Sequence, residues 1–193
     1  MTTPQRVAAK FLLTDPTASV ELQPFIGIFH RFIQEKLVEG LLVDVTDYSH
    51  VPNGPGIVLI GHDVDYGIDQ VGGKWGLFTL RKRYRDVSTQ QILRDTLVKS
   101  LAAMVALEAE PTCEVKFDTG SVAIEFFDRL LAPNTDEAFE TRCKEIEPVA
   151  DALYGAGAHE IMRAHAEDPR KALTICVAGE SVDPATLIQR LGG

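Results

Sequence analysis

LLVDVTDYSHVPNGPGIVLIGHDVDYGIDQVGGKWGLFTLRKRY, residues 41–84, decides the fold. Residues 41–48 alternate: Leu41, Val43 and Val45 fall on one face, and Asp44, Thr46 and Tyr48 on the other. That is the period of a half-buried strand. Pro52-Asn53-Gly54-Pro55-Gly56 can only be a turn or tight loop. Ile57, Val58, Leu59 and Ile60 are apolar at every position, which predicts a central strand covered on both faces. Polarity returns in Gly61-His62-Asp63-Val64-Asp65-Tyr66-Gly67, a loop with Gly72-Gly73 follows, and residues 75–80 form a third strand. Three strands with short links predict an antiparallel meander.

Working outward toward the N-terminus, residues 6–13 read as a first strand, stopped by Thr14-Asp15-Pro16. Leu22, Phe25, Ile26, Phe29, Phe32, Ile33 and Leu37 then recur at helical spacing and make one apolar stripe. Pro24 suits the first turn and Gly40 suits the C′ position.

Toward the C-terminus, Ser88 with Gln91 three residues on has the spacing of a capping box. It opens the longest helix, running to about residue 109. Residues 113–117 and 122–127 read as a hairpin across Asp118-Thr119-Gly120. Asn134 is the expected N-cap of the next helix, with Glu137 at N3 and a kink at Pro148. Residues 159–165 and 173–177 read as a second hairpin, and Asp183-Pro184 starts a last short helix.

This order predicts an α+β fold: one domain over residues 1–193, with a largely antiparallel sheet packed against about four helices. The sheet would comprise the three-strand meander plus hairpins. Phe25, Phe29, Phe32, Ile57, Leu59, Leu97 and Leu101 are the expected core. The sequence carries no internal repeat and no linker long enough to split domains. A dinucleotide-binding fold is excluded, because strands and helices do not alternate regularly and no glycine fingerprint follows the first strand.

Composition narrows the function classes. The 193 residues carry a net charge of −9, which argues against a nucleic-acid scaffold. The one basic run, Arg81-Lys82-Arg83-Tyr84-Arg85, is too short to oppose that charge. Cys113, Cys143 and Cys176 are odd in number and widely spaced, so they suggest neither a disulfide framework nor a metal or redox motif. Reduced thiols fit a cytoplasmic location. The stretch MTTPQRVAAKFLLTDP has too short an apolar run for a signal peptide, and no segment approaches the ~20 apolar residues that span a bilayer.

The polar cluster after the apolar strand is the first candidate site. A hairpin through the Pro-Gly loop would bring Asp44 opposite His62 and His50 opposite Gly56. Asp44, Tyr48, His50, His62 and Tyr66 would then share one face. An acid beside a histidine can orient it as a general base, so His62 and Asp44 are the catalytic candidates. Tyr48, His50, Tyr66 and Arg81 are the ligand-binding candidates. His62, Asp63 and Asp65 form an alternative divalent-metal set. The simpler reading of the same acids is the solvent-facing exit of a strand, with ordinary turn chemistry. The sequence contains no GxSxG elbow, P-loop or HExxH motif. Arg129 near the helix after Asn134 reads as an anion site or, more simply, as part of a capped helix end. His30 reads as a partly buried flank residue, and His159 and His165 as surface.

FHRFIQE, LLVDVTDYSHVPNGPGIVLIGH and DRLLAPNTDEAF resemble a family of bacterial single-domain proteins of similar length with no assigned function. The resemblance runs over most of the chain. It implies a bacterial cytoplasmic protein of one domain and assigns no catalytic residue. Two function classes follow. The first is a non-catalytic binding or accessory protein, its partner a small molecule or a protein, a second copy included, with neither nucleic acid nor membrane. The second is a hydrolase-like acid–base or metal-dependent enzyme using His62, Asp44, Asp63 and Asp65. No cofactor is specified by either.

Overall fold

Two strands of alternating residues, Val7–Leu12 (β1) and Ser121–Phe126 (β6), lie antiparallel at the middle of one sheet. On one face they place Val7, Ala9, Phe11, Val122, Ile124 and Phe126, all buried. On the other they place Ala8, Lys10, Ala123 and Glu125, residues of the same strands at the opposite parity. The computed structural model describes residues 3, 4, 6–83 and 87–192, so Tyr84 and Arg85 of the basic run lie outside the described residues.

The remaining elements in chain order are α1 (Gln23–Glu35), β2 (Leu42–Asp47), β3 (Ile57–Gly61), β4 (Val64–Asp69), β5 (Gly76–Arg81) and α2 (Thr89–Glu108). After β6 come α3 (Asp136–Tyr154), β7 (His159–Ala164), β8 (Leu173–Gly179) and α4 (Pro184–Leu191). The eight strands pair antiparallel in the order β2-β3-β4-β5-β1-β6-β8-β7. The four helices cover one face of this sheet, and a single core lies between the two layers. Phe25, Phe29 and Phe32 of α1 and Leu97 and Leu101 of α2 fill that core together with Ile57 and Leu59, as expected. The fold is α+β.

The topology repeats although the sequence does not. Each half begins with a strand, crosses through a helix, returns in antiparallel strands, and ends in a second helix. In the first half the last strand, β5, pairs with the first, β1; in the second half β8 pairs with β6. Ala9 stands across from Ile124 at the junction. A two-fold at that pair relates Ala8 to Ala123 and Lys10 to Glu125.

The structure departs from the sequence reading in several places. Residues 64–69, read as part of a polar loop, form β4, so residues 41–84 supply four adjacent strands rather than three. The acids in Val64-Asp65-Tyr66-Gly67-Ile68-Asp69 hid a plain alternation. β3 has only one face covered: Ile57 and Leu59 meet the helices, while Val58 and Ile60 line open space. In β2 the register shifts between Leu42 and Asp44, so Leu42 and Val45 pack on the core while Leu41 and Val43 are exposed. β2 is an edge strand, where such bulges are common.

Residues 113–117 form no strand; they contribute one isolated bridge, Leu13 to Phe117. α1 stops early, because Lys36 adopts a left-handed conformation (φ 54°) and its N–H returns to the Phe32 carbonyl. Gly40 is therefore not its cap. Thr135, not Asn134, caps α3 through the Ala138 N–H. The Asn134 amide instead donates to the carbonyls of His165 and Asp168, at 2.8 and 3.0 Å. α3 runs through Pro148 without interruption. The Ser88–Gln91 capping box forms as read.

Candidate functional site

A two-layer arrangement leaves the second face of the sheet without helices. Strand twist curves that face into a trough of about 650 Å³. Sites for small organic molecules span ~300–1,000 Å³. Its floor comes from alternate residues of five strands: Ala8, Lys10 and Leu12 of β1, Val58 and Ile60 of β3, Asp65 and Asp69 of β4, Phe78 and Leu80 of β5, Ala123 and Glu125 of β6. Thr174 of β8 and Phe127 continue it, and Tyr48, Lys74, His165 and Lys171 stand at its rim.

The aromatic part of the floor depends on a glycine. The Phe78 ring lies over Gly67, where an added Cβ would sit 2.3 Å from Phe78 Cε1. Only a residue without a side chain at position 67 lets the ring fold down against β4. Ala8 and Ala123, the two-fold-related pair, keep the centre shallow.

The charged groups on the floor are unequally served. Lys10 ion-pairs with Asp69 and also donates to the Lys74 carbonyl at 3.3 Å. Lys82 holds Asp65 at 2.7 Å, and the Gly61 N–H donates to the same carboxylate at 3.1 Å. Among the described residues nothing donates a hydrogen bond to Glu125. Burial pushes its carboxyl above the usual range, and the Asp69 carboxylate adds to the push. Lys10, His165 and Lys171 oppose that shift without cancelling it.

The sequence-predicted residues are scattered by this geometry. Asp44 stands across from Ile60, not His62, and its carboxylate accepts from the adjacent Val45 N–H at 2.8 Å. His62 begins the turn into β4; its backbone N–H bonds Leu41 and Arg83 donates to its Nε2 at 3.0 Å. Asp63 lies 3.8 Å from His62 Nε2, but Asp65 is engaged by Lys82. Among the described residues no group of three His, Cys, Asp or Glu side chains is placed to hold a metal ion.

Of the ligand-binding candidates, Tyr48 lines the trough and His50 sits in the exposed turn after β2. Tyr66 faces the helices instead: it is buried, and its hydroxyl has no hydrogen-bond partner among the described residues. That burial pushes its phenol well above the ordinary value. Arg81 also turns to the helical side, 3.3 Å from Asp95 of α2. The cause is strand parity: Tyr66 follows Val64 and Ile68, whereas Tyr48 follows Thr46.

His159 and His30 differ from expectation, whereas His165 is at the surface as read. His159 is largely covered, with Nδ1 3.6 Å from Asp151 and 3.3 Å from the Gly155 carbonyl. His165 lines the trough, and His30 is exposed. Arg129, offered as an anion ligand, is exposed as well.

Sequence reasoning missed Lys10, Asp69, Phe78, Ala123 and Glu125. A signal for them exists: each charge interrupts an apolar strand at the parity opposite to its large hydrophobes, as in Val7-Ala8-Ala9-Lys10-Phe11 and Ala123-Ile124-Glu125-Phe126. The fold and the trough together define a class, a two-layer α+β protein with an open, largely apolar sheet face. No family model and no curated protein matches the sequence. Among the described residues no helix is long and apolar enough to cross a membrane.

Proposed function

We propose that this is a non-catalytic cytoplasmic binding protein, of the bacterial kind its sequence resembles, whose partner is a small amphipathic organic molecule. The supporting observation is the trough itself: an apolar, concave sheet face with a few charged groups on its floor. Such surfaces bury a ligand's apolar area while a small number of polar groups orient it. The net charge of −9 disfavours phosphate-rich partners. The acid–base alternative pairs His62 with Asp44 as its orienting acid, and Asp44 lies across from Ile60 instead.

The test is binding of the neutral, polarity-sensitive dye Nile red. Wild-type protein is expected to bind it saturably with a blue-shifted emission. Ala123→Trp and Thr174→Trp each put an indole into the trough and should abolish binding while the thermal unfolding curve is kept. Unchanged binding in both filled variants would overturn the reading.

A further inference from the structure

Resting on that reading, we infer that the trough selects a lipophilic organic cation, an amine or onium group on an apolar frame, and that Glu125 seats its positive charge. Three observations carry this.

First, Glu125 is the floor charge left without a hydrogen-bonding partner among the described residues, whereas Asp65 and Asp69 are each held by a lysine. Lys10, the cation two residues along the facing strand, is directed away from Glu125. It crosses β5 to Asp69 and the Lys74 carbonyl.

Second, there is room above Glu125. Its neighbours across the strands are Ala8 on β1 and Thr174 on β8, and neither reaches over it. The apolar walls begin at once with Leu80, beside Ala8, and Phe78, beside Lys10. A cation on Glu125 would lay its apolar frame against Leu80 and the Phe78 ring.

Third, the cations at the rim are exposed and the chain as a whole is acidic. Lys74, His165 and Lys171 are exposed at the rim, where water screens them, and an anion held there would gain little. Glu125 is recessed, so a counterion on it acts through a less polar medium. The net charge of −9 attracts cations to the molecule as a whole. The upward push on the Glu125 carboxyl comes from burial and from Asp69, and a cation beside it would act in the opposite direction.

Isothermal titration at neutral pH with size-matched probes, tetraphenylphosphonium and tetraphenylborate, tests the inference. Wild-type protein should bind the phosphonium at least about tenfold more tightly than the borate. Glu125→Gln should lose about tenfold or more for the phosphonium and should not weaken the borate. Glu125→Asp, which keeps the charge, should retain most of the preference.

A phosphonium affinity unchanged in Glu125→Gln, with Nile red binding still lost in Ala123→Trp, would overturn the role of Glu125 and leave the trough as the binding site. Preference for the borate would overturn the cation selectivity. Nile red binding that survives in both filled variants would remove the trough reading and this inference with it.

Discussion

Lys10 of β1 reaches across β5 to form an ion pair with Asp69 of β4, over the one residue between them that has no side chain, Gly76. A Cβ at Gly76 would lie 3.0 Å from Lys10 Cε and 2.4 Å from the Phe11 carbonyl oxygen. The pair thus ties three strands together on the face that lacks helices. Both side chains are mostly covered, with 17% and 8% of their surface exposed.

Removing Lys10 takes away the cation that pairs with the recessed Asp69 carboxylate. Lys10→Met is expected to cost about 3 kcal/mol, the lower end for breaking a buried pair. Lys10→Met with Asp69→Leu should recover most of it, because two apolar side chains of similar size need no desolvation. Urea titration of the two single variants and the double variant checks this. Additive losses would show that the pair is solvated and energetically silent.

Glu125 predicts a dependence of stability on pH. Its carboxyl is pushed up by burial and by Asp69, against Lys10, His165 and Lys171. A raised acid binds its proton more tightly in the folded state. Its contribution is therefore fully present below the unfolded value of about 4.3 and is lost as pH rises through the folded value. Glu125→Gln should unfold at a higher temperature than wild type at neutral pH, and the difference should shrink toward about pH 4. A difference that does not change with pH would refute the assignment.

Gly67→Ala tests how the aromatic floor is built. The new methyl group would collide with the Phe78 ring and come within 3.0 Å of the Ile57 carbonyl oxygen. The ring can swing into the trough, so the expected cost is about 1–3 kcal/mol rather than loss of the fold. Nile red affinity should fall at the same time, because the displaced ring occupies ligand space. Loss of stability with full dye affinity would mean that the ring does not move into the trough.

Two changes on the helical side calibrate the scale. Phe29→Ala removes a fully buried ring that contacts Phe25 and Phe32 edge-on or tilted, and should cost about 3–5 kcal/mol. Ser88→Ala removes the cap of α2 and should cost about 1 kcal/mol. Neither should alter dye binding. Guanidinium unfolding with a parallel Nile red titration reads both quantities, and a dye effect from either variant would point to coupling through the sheet.

Local patterns in the chain determined a good deal on their own. The helical stripe of Phe25, Phe29 and Phe32, the Ser88 capping box and the Asp183-Pro184 start were legible because each depends on residues within a few positions. So was the hairpin of β7 and β8, and so was the α+β class. What the tertiary structure alone decided were quantities that depend on partners far along the chain. Whether Val58 and Ile60 face helices or open space depends on which side four remote helices pack. Whether Asp44 meets His62 depends on the register of β2 on β3, which is set from the loop end at Asp47 and Ile57 and places Asp44 across from Ile60, two residues short of His62. The site itself is the extreme case. Lys10, Asp69 and Glu125 come from three strands spread over more than half the chain, and strand pairing alone brings them onto one floor. Alternation marks each of them as belonging to one face of its own strand, but no local rule says that the three faces are the same, or that the helices leave that face open.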